Sequence, residues 1–81
     1  TWIPFELARD ERVAVRIYDL RGGLVRELPL GSRSAGRHDS RATAAYWDGE
    51  DANGDPVASG VYIYEMTAGD HVTRRRMTVA K

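Results

Sequence analysis

Oxygen-bearing side chains are concentrated in one short stretch of the chain, and this stretch is the first place where the sequence could do chemistry. Asp48, Glu50, Asp51, Asn53 and Asp55 put five such side chains within eight residues. Carboxylate and amide oxygens are the ligands that Ca²⁺ takes in proteins. The stretch therefore raises the hypothesis of a calcium site.

The spacing departs from the calcium-loop pattern D-x-[DN]-x-[DN]-G-x5-E. Asp51, Asn53 and Asp55 fit its first three ligand positions, but Pro56 replaces the glycine and Tyr62 occupies the glutamate position. We therefore expect no metal, and a solvated turn whose carboxylates accept hydrogen bonds from backbone amides. The alternative, a bound calcium ion, has as its candidate ligands Asp48, Asp51, Asn53 and Asp55.

Three consecutive arginines, Arg74 to Arg76, form the densest basic cluster. Guanidinium groups suit carboxylate or phosphate partners, so Arg74 and Arg76 are candidate contacts with a partner. The alternative is that these charges guard the exposed edge of a final strand. Twelve basic residues balance twelve acidic ones, which leaves no wider positive field for nucleic acid.

No set of residues has a catalytic arrangement. The chain has no cysteine, and Ser59 does not lie in a G-x-S-x-G elbow. We expect the two imidazoles, His38 and His71, to be exposed. Carboxylates lie mainly on turns, where full hydration gives no reason for the shifted pKa that acid–base catalysis needs. The sequence predicts no enzymatic activity and no cofactor.

Aromatic side chains offer a further possible binding surface. Trp2 and Tyr46 are candidates for a carbohydrate-binding platform, which needs exposed and coplanar rings. Trp2 is also a candidate contact for a protein partner. Tyr62 and Tyr64 share a face with Met66, which favours burial of that set instead.

The elements that must position these residues are strands, because apolar residues alternate over short runs separated by glycine-bearing turns. In the second run, Val13, Val15 and Ile17 alternate with polar or smaller residues, as in a strand with one face on a core. Pro4 favours an edge strand for the first run, since it removes a ladder donor. The predicted strands cover residues 2–7, 12–19, 24–30, 60–67 and 71–80.

Breaks in the alternation predict irregular strands. Val25 is out of phase with its neighbours, which predicts a bulge near Arg26. Val72 and Met77 have opposite parity, which predicts a second bulge or a crossing between sheets at residues 74–76.

Turn-forming residues separate the strands. The sequence predicts a loop at residues 31–36 and a long turn at residues 47–60, with Asn53-Gly54 at the apex of the turn. It also predicts that residues 68–70 connect the two strands of a terminal hairpin. The segment 37–47 is only weakly hydrophobic between Asp39 and Ala45, and its pairing stays open.

Eighty-one residues make one domain with a modest core that no disulfide supplements. About six strands without a helix indicate an all-β fold, a small antiparallel immunoglobulin-like β-sandwich of about six to seven strands, with an open barrel as the alternative. Charges and glycines interrupt every apolar run, so no membrane insertion is expected. The only lysine, Lys81, is chain-terminal, and we expect no buried lysine for an isopeptide cross-link.

Several motifs together carry a resemblance to a known family. They are Ile17-Tyr18-Asp19-Leu20, Gly22-Gly23, Leu24-Val25-Arg26, Ala35-Gly36, Trp47-Asp48-Gly49, Asn53-Gly54, Val57, Ser59-Gly60-Val61-Tyr62 and Tyr64. In this order they resemble the immunoglobulin-like domain of the flagellar hook-capping protein FlgD. The segment 37–47 is longer than the equivalent strand of the family.

The resemblance implies a non-catalytic structural or protein-interaction module at the C-terminus of a larger secreted or cell-surface protein. Its implied partners are neighbouring domains of the parent protein or a protein of an export or assembly system. The alternative is a carbohydrate-binding accessory domain of a secreted hydrolase.

Overall fold

The protein is an antiparallel β-structure in two layers, seen in a computed structural model that describes residues 1–80. The predicted all-β fold is confirmed. The strands are β1 (Trp2–Ile3), β2 (Phe5–Leu7), β3 (Glu11–Tyr18), β4 (Leu24–Arg33), β5 (Gly36–His38), β6 (Ala45–Tyr46), β7 (Gly60–Ala68) and β8 (His71–Val79).

The larger layer is a four-stranded sheet in the order β4-β3-β7-β8. The alternation in β3 has the predicted result, because Val13, Val15 and Ile17 are buried while Arg16 is exposed. Gly69, at φ +58, begins the two-residue turn between β7 and β8. A glycine at the first central position is typical of a type II′ hairpin turn.

The smaller layer consists of two short pairs, β1 with β6 and β2 with β5. The predicted first strand is divided at Pro4, which lies between β1 and β2. The excess length after Gly36 forms a turn between β5 and β6, in which the amides of Thr43 and Ala44 donate to the Ser40 carbonyl. The open question about this segment is thus resolved in favour of pairing at both of its ends.

The core fills the space between the layers. Trp47, with no exposed surface, is its largest fully buried side chain, and its ring meets the ring of Tyr62 edge-on at 5.6 Å. The buried set draws on both layers and contains Ile3, Leu7, Val13, Val15, Ile17, Ala45, Trp47, Tyr62, Met66, Ala68 and Val79.

The edge strand β4 is irregular. Its pairing with β3 shifts register between Ile17 and Tyr18, next to Arg26, as predicted. It shifts again between Val13 and Ala14, and the strand continues to Arg33. The prediction of a loop from residue 31 was therefore wrong, because the second shift lets Gly31 stay paired with Val13.

The opposite edge strand, β8, is regular. It pairs with β7 without a shift from Ala68 opposite His71 to Gly60 opposite Val79. The predicted bulge at residues 74–76 was wrong. Val72 and Met77 differ in parity because Val72 lies on the outer face of the sheet, where it is exposed.

Two further sequence predictions have different outcomes. His38 was expected to be exposed but is buried, with its ring stacked on Phe5 at 4.6 Å. Lys81 lies outside the described residues, so the expectation that it is not buried stays a prediction. Within residues 1–80, no helix is long and apolar enough to cross a membrane.

Candidate interaction surfaces

The acidic turn is organised by its own backbone. The Asp51 side chain accepts hydrogen bonds from the amides of Asn53 at 2.9 Å and Asp55 at 3.0 Å. Gly54, at φ +85, completes the reversal, since its amide donates to the Asp51 carbonyl. One carboxylate oxygen thus fixes the apex that the sequence predicted.

Asp48 ties the beginning of the turn to the larger sheet. Its Oδ1 accepts from the Glu50 amide at 3.0 Å and from Arg26 Nη1 at 3.1 Å. Arg26 also donates to the Glu50 carbonyl, which accepts from Trp47 Nε1 as well. Asp48 and Arg26 therefore fix the position of the turn relative to the buried Trp47 side chain.

These contacts give the acidic residues a structural use. Among residues 1–80, no group of three or more histidine, aspartate or glutamate side chains lies close enough to hold a metal ion. Of the candidates named from the sequence, Asp48 and Asp51 use an oxygen to accept from backbone amides. The arrangement fits the capping interpretation.

Trp2 and Tyr46 form an exposed aromatic patch with Arg41, here called the aromatic patch. Trp2 and Tyr46 are paired across β1 and β6, and they are 43% and 51% exposed. Their ring centroids lie 4.6 Å apart, and the guanidinium carbon of Arg41 lies 5.8 Å from the Trp2 ring centroid. The turn between β5 and β6 brings the arginine to this position.

The two rings do not form a platform of the kind that stacks on sugars. Trp2 and Tyr46 are exposed side by side, but their planes are tilted by 47°. A sugar that stacks one face on both aromatic rings needs those rings to be coplanar. The geometry therefore does not support the carbohydrate-binding alternative.

Charged residues cross the outer face of the larger sheet in one row. The register places Glu27, Arg16, Glu65 and Arg74 opposite one another on four neighbouring strands. Arg16 donates to Glu27 at 2.8 Å, and Arg74 donates to Glu65 at 2.6 Å. The bond to Glu27, with a smaller effect of Tyr18, raises the pKa of the Arg16 guanidinium.

The candidate partner residues of β8 differ in their surroundings. Arg74 is held by Glu65, whereas Arg75 and Arg76 are exposed and have no carboxylate partner among residues 1–80. Arg76 therefore has a free guanidinium for a partner, while Arg74 would have to share its contact with Glu65.

The histidines have no catalytic arrangement. His38 Nε2 donates to the Ser34 carbonyl at 2.7 Å, and its buried Nδ1 has no partner. His71 is exposed at the start of β8. No nucleophile or carboxylate within residues 1–80 shares a hydrogen bond with either ring.

Sequence reasoning missed three residues of these surfaces. Arg41 belongs to a segment without a clear pattern, and only the turn after β5 brings it to Trp2. Glu65 is buried although it is charged, and its spacing from Arg74 across the hairpin turn could have revealed the pair. Arg26 lies on the same face of its strand as Leu28 and Leu30, which pack against the core. A charged residue at such a position could have indicated a polar contact inside the domain.

Comparison with known proteins gives a consistent result for the fold. Residues 4–71 match the profile of the FlgD Ig-like domain family. The solved structure of FlgD from P. aeruginosa is similar, with a TM-score of 0.74 and 24% identity over 95% of this chain and 57% of that chain. The chain thus spans little more than half of that protein. A comparison with curated proteins finds no match.

Proposed function

Because this chain belongs to the FlgD Ig-like domain family, we propose that it is a non-catalytic module that binds another protein during assembly or export. The family match covers the motifs Trp47-Asp48-Gly49, Asn53-Gly54 and Ser59-Gly60-Val61-Tyr62, on which the resemblance was based. Within residues 1–80, the contacts of the polar residues in these motifs are structural.

The aromatic patch is the observation that carries this proposal. Tryptophan, tyrosine and arginine are the residue types most enriched at the energetic centres of protein interfaces. Trp2, Tyr46 and Arg41 lie together on one exposed surface, although a domain this small needs its aromatic rings for the core. A partner that covers this patch removes apolar surface from water. Each Å² of apolar surface buried in this way contributes about 25 cal/mol to the free energy of binding.

We further propose that the module lies at the C-terminal end of a secreted or cell-surface protein. Support comes from the resemblance to the FlgD Ig-like domain, which implies a module at the C-terminus of a secreted or cell-surface protein. The neutral charge balance supports a protein partner over nucleic acid.

Photo-crosslinking in the full-length parent protein tests the proposal. Trp2, Tyr46 or Leu20 is replaced by p-benzoylphenylalanine, and the parent is irradiated in its own cell. Leu20 is the matched control, because it is 62% exposed but lies in the β3–β4 turn outside the patch. We expect adducts to a second polypeptide from positions 2 and 46, recovered from the cell surface or medium, and none from position 20.

Equal adduct yields at all three positions would mean that the patch is ordinary surface. Absence of adducts at positions 2 and 46 would remove the patch as a contact. Adducts found only in the cytoplasmic fraction would contradict the proposed location but not the interaction.

A further inference from the structure

A groove runs between the two layers along one side of the domain. It consists of two adjoining cavities of about 240 Å³ each, which share Glu6, Met66 and Thr73 in their linings. One wall is β2 with the residues that follow it, and the other wall is β8. The groove exists because the smaller layer is too narrow to cover the whole inner face of the larger sheet.

The floor of this groove is apolar. Leu7, Met66 and Ala68 line it and belong to the core. On β8, the inward-facing Thr73 and Arg75 are exposed beside it, whereas Val79, on the same face, is covered and buried. The inner face of β8 is therefore open beside Thr73 and Arg75 and covered at Val79.

Both walls present open strand edges. Among residues 1–80, β2 pairs only with β5, and β8 pairs only with β7. Hydrogen-bonded and non-hydrogen-bonded pairs alternate along an antiparallel ladder, so every second residue of β8 directs its N–H and C=O away from β7. These groups can bind a further strand.

The two edges of the larger sheet differ in how well they resist such pairing. The β4 edge has two register shifts and a proline, Pro29, inside the strand. Bulges and prolines are devices that block edge-to-edge association. The β8 edge is a straight strand of nine residues with no shift and no proline. Of these two edges, β8 is thus the one with a regular backbone ladder, and its arginine charges guard it against strands that carry no opposite charge.

The charges at the groove are unbalanced on the β8 side. Each carboxylate on the opposite wall forms an ion pair with an arginine. Glu6 Oε2 lies 3.6 Å from Arg37 Nε, and Glu11 Oε1 lies 2.9 Å from Arg9 Nε. Arg75 and Arg76 have no such partner among residues 1–80. A strand that pairs with β8 therefore meets uncompensated positive charge.

This charge argues against a second copy of the chain as the occupant. Antiparallel pairing of two β8 strands about their centre would place Arg75 opposite Arg75 and Arg74 opposite Arg76. Like charges directly opposite one another destabilise a sheet. An acidic strand has the opposite effect, because guanidinium groups pair well with carboxylates.

We propose that β8 and the groove bind an extended acidic segment of a partner protein, which adds to the sheet as a fifth strand. Its outward side chains opposite Arg74 and Arg76 are carboxylates, and its inward side chain opposite Thr73 is apolar and enters the groove. Strand addition of this kind obtains affinity from main-chain hydrogen bonds and specificity from alternate side chains. The inference rests on the proposed interaction function and specifies a second contact of the same module.

Fluorescence anisotropy with a designed peptide tests strand addition on the 81-residue chain. The probe is the fluorescein-labelled peptide Ser-Glu-Val-Glu-Val-Glu-Ser-Gly, and the reference is the same peptide with lysine in place of each glutamate. We expect saturable binding of the acidic probe, weaker at high salt, and binding of the lysine peptide at least about tenfold weaker.

Two pairs of variants separate the groove from the charge. Thr73→Trp fills the groove, whereas Thr78→Trp puts the same ring on the outer face of the same strand. Arg76→Glu reverses an edge charge, whereas Arg21→Glu makes the same change in an exposed turn. We expect about tenfold weaker binding for the first member of each pair and less than about twofold change for the second.

Four outcomes would overturn strand addition: no saturable binding of the acidic probe, equal binding of the lysine peptide, equal effects of Thr73→Trp and Thr78→Trp, or equal effects of the two charge reversals. Far-UV circular dichroism verifies that each variant is folded. If the photo-crosslinks at positions 2 and 46 persist while the peptide fails to bind, strand addition is wrong and the interaction function stands. If both fail, the interaction function is wrong as well.

Discussion

Trp47 joins the acidic turn to the core. Its ring is fully buried against Tyr62, and its Nε1 donates to the Glu50 carbonyl at 2.9 Å. A hydrogen bond from Arg26 to the same carbonyl means that this oxygen keeps a partner without the indole. The contribution of Trp47 to stability is therefore mainly the space it fills.

We predict that Trp47→Phe lowers the free energy of unfolding by about 2 kcal/mol, because it leaves a cavity and removes one hydrogen bond. Trp2→Phe is the matched control and should cost less than about 0.5 kcal/mol, since Trp2 is partly exposed. Urea unfolding followed by far-UV circular dichroism measures both. Equal losses would show that Trp47 has no special place in the core.

At the scale of elements, the acidic turn shows how one aspartate can organise a loop. Asp51 accepts from two amides, whereas no hydrogen bond or ion pair of the Asp55 side chain occurs within residues 1–80. The two carboxylates are four positions apart in the same turn. They therefore make a matched pair for a test of capping against metal binding.

We predict that Asp51→Ala lowers the free energy of unfolding by about 1 kcal/mol, because the amides of Asn53 and Asp55 lose their acceptor on an exposed turn. Asp55→Ala should change it by less than about 0.5 kcal/mol. Thermal melts of the unmodified chain with millimolar calcium and with chelator should coincide. A melting temperature that rises with calcium, and no longer does so in either variant, would favour a metal site instead.

At the scale of the whole molecule, the two layers are unequal. The four strands of the larger sheet are eight to ten residues long. The smaller layer is made of strands of two or three residues. The smaller layer nevertheless supplies Ile3 and Leu7 to the core, so the two layers share one core.

We predict that amide hydrogen exchange is slowest in the central strands β3 and β7 and much faster in β1, β5 and β6. Short strands with few paired amides open at a lower free energy than the core strands. Residue-resolved exchange by nuclear magnetic resonance measures this. Uniform protection across both layers would show that the domain opens only as one unit.

Local sequence patterns predicted the long strands β3, β4, β7 and β8, most of the turns and the family, but left the pairing of β5 and β6 open. Alternation in β3, the glycines of the turns and the aspartates of the acidic turn act over a few residues, so local pattern is enough to predict them. The bulge near Arg26 was also predicted, because a break in phase within one strand is a local signal.

Which face of each strand is covered depends on how distant parts of the chain pack together. Parity shows that Val72 and Met77 lie on opposite faces of β8, but it does not show which face the second layer reaches. The burial of His38 and the exposure of Trp2 depend in the same way on pairings between residues more than thirty positions apart. The open groove beside β8 follows from the narrow second layer, and no local pattern in β8 records the width of a layer formed elsewhere in the chain.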